Sequence, residues 1–105
     1  MNVHSTDLSV RPRIPVARIL EARGSFPHCT LSFEVEFEVE ELDAVSDLVL
    51  LVKRAGLTCD GLRYRRNGCV LARLRDSEAS DFRLMDTVLN RSTSLRLVRW
   101  TSILS

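Results

Sequence analysis

A chain of 105 residues, 45% apolar and 28% charged, has the material for one ordinary core and little left for a second. Its 15 Lys and Arg against 14 Asp and Glu leave a net charge of +1, which excludes the strongly basic footprint of a dedicated nucleic-acid binder, and 6% aromatics weaken any base-stacking role. No stretch approaches the roughly 20 apolar residues that span a bilayer, and Met1 to Ser5 lacks the charged segment and apolar run of a secretory signal.

Three cysteines, Cys29, Cys59 and Cys69, cannot all pair, so a reducing, cytoplasmic setting is expected, with free and mostly buried thiols. His28, Cys29, Cys59 and Cys69 contain no C-x-x-C pair and no second histidine at ligand spacing, so no metal is expected. All cationic residues except Lys53 are arginine.

Residues 1–28 hold all three prolines and read as an N-terminal arm or a short helix. Pro15 suits a first helical position, with a helix from Val16 to Arg23 ending at Gly24 and Val16, Ile19, Leu20 and Arg23 on one face. At about eight residues such a helix needs packing to persist, and an extended arm is the alternative.

From residue 29 onward a single domain is expected. Leu31, Phe33, Val35, Phe37 and Val39 alternate with Ser32, Glu34, Glu36, Glu38 and Glu40, which predicts a strand with one buried and one polar face. At Leu42 the period changes. Asp43 is a candidate cap, and Leu42, Val45, Leu48, Val49, Leu51 and Val52 recur at helical spacing until Gly56, with Lys53 and Arg54 in the last turn.

Leu57–Arg66 and Cys69–Asp76 flank Asn67-Gly68 and read as a hairpin. A two-residue loop would mix polar and apolar residues on one face. A three-residue loop, Arg66-Asn67-Gly68, pairs Tyr64 with Val70 and Leu62 with Ala72, collects Leu62, Tyr64, Val70, Ala72 and Leu74 on a buried face, and puts Gly68 in the left-handed conformation. Ser77 or Ser80 caps a second helix striped by Phe82, Met85, Val88 and Leu89. Leu95–Ile103 is a last strand of ambiguous phase, implying burial on both faces or an edge that meets a partner.

Strand, helix, strand, strand, helix, strand is the order of an α+β, ferredoxin-like βαββαβ sandwich: a four-stranded antiparallel sheet with two helices on one face and the first and third strands central. Its outer face would carry Glu34, Glu36 and Glu38 opposite Arg63, Arg65, Arg73 and Arg75. That is either a solvated face of cross-strand ion pairs or, through Arg63, Arg65, Arg66 and Arg73, a docking patch for phosphate or an acidic partner. The third strand, Cys69-Val70-Leu71-Ala72-Arg73-Leu74, has no aromatic for RNA stacking. His4 and His28 precede the core, and no triad spacing or Gly-rich phosphate loop occurs, so catalysis is not expected. Asp43 and Asp47, one turn apart, are explained by a cap and a solvated face.

Leu31–Phe37, Glu41-Leu42-Asp43-Ala44-Val45, Val52-Lys53-Arg54-Ala55-Gly56-Leu57 running into Thr58-Cys59-Asp60-Gly61-Leu62, and Leu84–Leu89 followed by Leu95–Trp100 together resemble the ACT domain family. Within it they resemble the short, single-domain small regulatory subunits of acetolactate (acetohydroxyacid) synthase, over about 70 of the 105 residues. The resemblance implies a non-catalytic regulatory subunit in branched-chain amino acid biosynthesis. It implies an amino-acid effector, edge-to-edge pairing into a homodimer, a large catalytic subunit as partner, and no cofactor. The effector site it implies is the turn Glu38, Val39, Glu40, Glu41 and Leu42, with Thr58, Cys59 and Asp60 as further contacts. The start of the following helix would attract the effector carboxylate. Where the family often has Pro-Gly in this turn, this chain has its most acidic stretch. The other open reading is a pure interaction module that docks through the arm or a sheet edge.

Overall fold

The computed structural model describes residues 12–105. The readings placed on Met1–Ser5 and His4, and on the arm over residues 1–11, lie outside the described residues. The elements are α1 (Val16–Ser25), β1 (Leu31–Val39), α2 (Ala44–Arg54), β2 (Thr58–Tyr64), β3 (Cys69–Arg75), α3 (Phe82–Arg91) and β4 (Leu95–Leu104). The described residues form an α+β architecture: one open, fully antiparallel four-stranded sheet in the order β2-β3-β1-β4, with three helices. Among the described residues no helix is long and apolar enough to cross a membrane.

The alternation read in β1 is the axis of the fold. Leu31, Phe33, Val35, Phe37 and Val39 are all buried, while Glu34, Glu38 and their same-face neighbours look outward. A central strand paired on both sides can bury one face completely. Side chains from all three helices join that face in a single core with Val70, Ala72, Leu74, Leu95 and Leu97. Phe33 lies edge-on to Phe82 at 5.3 Å and tilted against Trp100 at 4.9 Å, which locks α3 over β1 and β4.

The third helix is α1, and it belongs to the core rather than to a detached arm. Ile14 and Ile19 are buried, whereas Leu20, expected on the same face, is exposed. The Arg13 guanidinium bonds Asp86 of α3 at 2.6 Å. The Arg23 Nε–H donates to Asp76 at 2.7 Å, and its guanidinium carbon lies 5.1 Å from the Phe82 ring centre. A helix of ten residues is marginal alone, and these contacts hold it.

The hairpin has the register that phase required: Leu62 opposite Ala72, Tyr64 opposite Val70, and Gly68 at φ +80°. Burial does not follow the face, however. β2 is an edge strand that the helices do not cover, so Leu62 (37% exposed) and Tyr64 (41%) remain half open.

Helix boundaries also differ in detail. Asp43 precedes α2 but makes no side-chain capping bond. Neither Ser77 nor Ser80 caps α3; Asp81 does, its Oδ1 accepting from the Leu84 N–H at 3.0 Å. The two serines instead fasten the preceding loop. The Ser77 N–H donates to Ser80 Oγ at 2.9 Å, and the Ser77 hydroxyl donates to the Gly56 carbonyl at 2.6 Å. Gly56 ends α2 at φ +77°, with a Cβ there falling 2.7 Å from the Ala79 carbonyl carbon.

The ambiguous phase of β4 has a simple cause. Its register against β1 jumps between Leu97, opposite Phe37, and Arg99, opposite Glu36, leaving Val98 unpaired in a bulge. Leu95 and Leu97 before it, and Trp100 after it, therefore share the inner face.

Candidate functional site

The β1–α2 turn places Glu38, Val39, Glu40, Glu41 and Leu42 together at one end of the sheet. The Val39 N–H donates to the Gly68 carbonyl at 2.8 Å, and the Glu40 N–H donates to the Ser94 carbonyl at 3.0 Å, so the turn is pinned between the hairpin tip and the start of β4. Between this turn and β4 lies a cleft of about 240 Å³ lined by Glu38, Val39, Glu40, Thr93, Ser94, Leu95 and Arg96. The Arg96 guanidinium reaches Glu38 at 2.9 Å. Glu41 and Leu42 are exposed beside it and do not line it.

Thr93–Arg96 did not emerge from the sequence. They reach the turn by strand pairing, Leu95 standing opposite Val39, and the bulge at Val98 hides that register from any count along β4. The start of α2 is also not the anion receptor expected. The N–H groups of Ala44, Val45 and Ser46 already donate to the carbonyls of Glu41, Leu42 and Asp43 at 3.0, 3.0 and 3.2 Å. A tight turn has consumed the donors that a helix start normally offers. In this cleft the cationic group is Arg96, which has more donors than Glu38 occupies.

Thr58, Cys59 and Asp60 lie elsewhere. Thr58 stands opposite Arg75, whereas Glu38 stands opposite Cys69, so the two groups are separated by the length of β3, about 20 Å at ~3.3 Å per residue. Within one chain they form no common site. Asp60 sits in a bulge of β2, between Cys59 and Gly61, that turns its side chain to the outer face. There Arg75 bonds it at 2.7 and 3.1 Å and holds its carboxyl below the usual carboxylate range.

The outer face carries charge in a different arrangement from the one expected. Glu36 pairs with Arg99 and Glu38 with Arg96, both at 2.9 Å and both across to β4, not to the hairpin. Glu34 stands directly opposite Arg73 yet forms no ion pair with it. Arg63, Arg65 and Arg73 have no carboxylate within ion-pair distance among the described residues. A trough of about 810 Å³ crosses this face, with Gly61, Arg63, Leu71 and Arg73 on one side and Glu34, Glu36, Arg99 and Thr101 on the other.

The cysteines are not buried as expected: Cys29 and Cys59 are exposed and Cys69 is half-buried. The Cys69 thiol donates to Glu36 at 3.3 Å, and partial burial together with that carboxylate pushes it up, so it stays protonated. His28 is exposed. Among the described residues no group of three or more His, Cys, Asp or Glu side chains is placed to hold a metal ion.

The described residues thus define a small α+β domain with two unpaired sheet edges, a polar-walled cleft at the β1–α2 turn and a charged trough on the outer face. Compared with protein-family models, curated proteins and solved structures, the chain matches none.

Proposed function

We propose that this chain is a non-catalytic, ACT-like regulatory or accessory subunit on a ferredoxin-like framework, to which α1 is an N-terminal addition. It pairs with a second copy by sheet extension and takes an amino-acid effector in the cleft at the β1–α2 turn. The observation that carries the reading is the strand order β2-β3-β1-β4 joined through α2 and α3. A βαββαβ chain whose two crossovers lie over one sheet face produces that order.

The cleft chemistry supports a zwitterion. An amino acid offers its ammonium to Glu40 and its carboxylate to Arg96, and these two charged groups line the same 240 Å³ space. The edge strand β2 supports pairing. It has hydrogen-bonded neighbours on one side only, and its inner-face Leu62 and Tyr64 are half exposed. Antiparallel addition of a second β2 would carry Thr58, Cys59 and Asp60 of one copy to the sheet end that holds the β1–α2 turn of the other. This removes the separation along the strands. The catalytic partner implied by the resemblance is the large subunit of an acetolactate synthase, in the cytoplasm.

The reading as a pure interaction module retains the sheet edges as docking elements. Within the described residues it has less of the arm to use, because Ile14 and Ile19 are committed to the chain's own core.

Calorimetry with leucine, valine and isoleucine tests the effector role. Heat is expected from at least one, with affinity lowered about tenfold or more in Glu40→Gln and in Arg96→Ala, since each removes a charged partner. Silence from all three amino acids would overturn the effector site.

A further inference from the structure

The outer face poses a problem that the fold does not explain. Among the described residues every acidic side chain on it except Glu34 is engaged, by Arg75, Arg96 or Arg99. The remaining arginines gather on the hairpin half of the face. Arg63 is opposite Leu71 and Arg73 is opposite Gly61, so the two are diagonal neighbours across β2 and β3, and Arg65 follows two residues along from Arg63. Adjacent like charges on paired strands repel and cost stability. Among the described residues none of the three has a carboxylate within ion-pair distance, although Arg73 has Glu34 opposite it and acts on Asp60 at longer range.

We propose that this half of the trough, lined by Arg63 and Arg73 with Arg65 just beyond its end, is a docking groove for an extended, acidic protein segment carrying carboxylates at alternate positions, received by these three arginines. Spacing supplies the first argument. Arg63 lies on β2 and Arg65 is the first residue past its end, its N–H still donating to the Cys69 carbonyl at 2.8 Å, so the two continue the ~6.6 Å spacing of residues two apart in extended chain, which is also the spacing of same-side carboxylates of an extended segment. Guanidinium forks suit carboxylates in two-point contact.

Shape supplies the second. Gly61 leaves the floor beside Arg73 without a side chain. Neither backbone nor space requires a glycine there: its φ is not positive, and a Cβ would meet Arg73 Cδ at an ordinary 3.9 Å. Leu71, half-buried between the arginines, gives the segment an apolar contact.

Charge complementarity also chooses among anionic partners. Glu34, Glu36 and Asp60 line the same trough. A continuous phosphate backbone would be driven against them, whereas a protein segment can place neutral or basic residues there. The three arginines are exposed and spread along two strands, which suits several separate carboxylates better than one compact anion. The groove is independent of the cleft at the β1–α2 turn and of the ACT-like reading.

The test uses the full chain and a fluorescein-labelled peptide of alternating Glu and Ser, about a dozen residues or ~40 Å when extended, followed by fluorescence anisotropy at low salt. Saturable binding is expected. It should weaken at least tenfold in the double variant Arg63→Ala/Arg73→Ala and in Gly61→Val, which fills the floor and suits a strand. It should stay within twofold in Arg18→Ala/Arg83→Ala, which removes the same charge from the helices. Absence of peptide binding overturns the proposal, as does equal weakening by the strand and helix variants. Tighter binding of a single-stranded oligonucleotide than of the peptide also overturns it. Circular dichroism confirms that each variant is folded.

Discussion

Truncating Ile19 separates an arm that belongs to the core from one that merely trails it. Ile19 is 1% exposed and Leu20, its neighbour on α1, is 41% exposed. Ile19→Ala removes buried carbon and leaves a cavity, for a loss of about 2–5 kcal/mol. Leu20→Ala removes a similar side chain from solvent and should fall within about 0.5 kcal/mol of the parent. A domain of this size is stable by about 5–15 kcal/mol. At about 4–8 °C per kcal/mol, the smallest loss for Ile19→Ala is a fall in Tm of about 8–16 °C. Urea titration and thermal melting, both followed by circular dichroism, read the difference. If the two variants melt within about 1 kcal/mol of each other, α1 is not part of the cooperative unit and the packing argument fails.

Two further predictions follow from local geometry. Burial alone would raise the Asp76 carboxyl, but bonds from Arg23, Ser80 and the Ser77 amide outweigh it and hold the group below its ordinary range. A carboxyl lower in the folded than in the unfolded chain stabilises fully above its unfolded value, about pH 4, and progressively less as pH falls below that. The parent should therefore lose stability below about pH 4, and Asp76→Asn should be less stable at pH 7 with a flatter acid limb, as read by urea midpoints across pH. Gly56→Ala puts a Cβ at φ +77° against the Ala79 carbonyl and should cost at least about 1–3 kcal/mol, whereas Gly24→Ala, inside α1 with nothing within 4 Å, should gain about 0.5–1 kcal/mol. Thermal melts decide both signs.

The centre of the sheet was legible because period and burial coincide in β1 and β3. β1 could be read residue by residue, since a central strand with one polar face writes its environment into every second position. The hairpin register was legible for a related reason: a shift by one residue would have turned Arg63 and Arg65 inward. What escaped were positions where a local exception overrides the period. Val98 and Asp60 are bulged, and a bulge reverses the phase of everything beyond it. The burial of α1 depends on Asp76, Phe82 and Asp86, more than fifty residues away in sequence, a distance that no local pattern spans. Asp81 capped α3 ahead of two serines because it directly precedes the first buried residue, Phe82. At the candidate site, the acidic turn was visible in sequence, but its cationic wall, Arg96, arrives by strand pairing alone.

Pairing through β2 is the most exposed part of the account. Light scattering on the eluting peak should give about twice the 11.9 kDa chain mass, falling to the single-chain mass in Leu62→Lys/Tyr64→Lys, where charge on the half-open inner face of the edge strand blocks addition of a second copy. A parent that elutes at the single-chain mass at micromolar concentration, or a dimer indifferent to both substitutions, would contradict it.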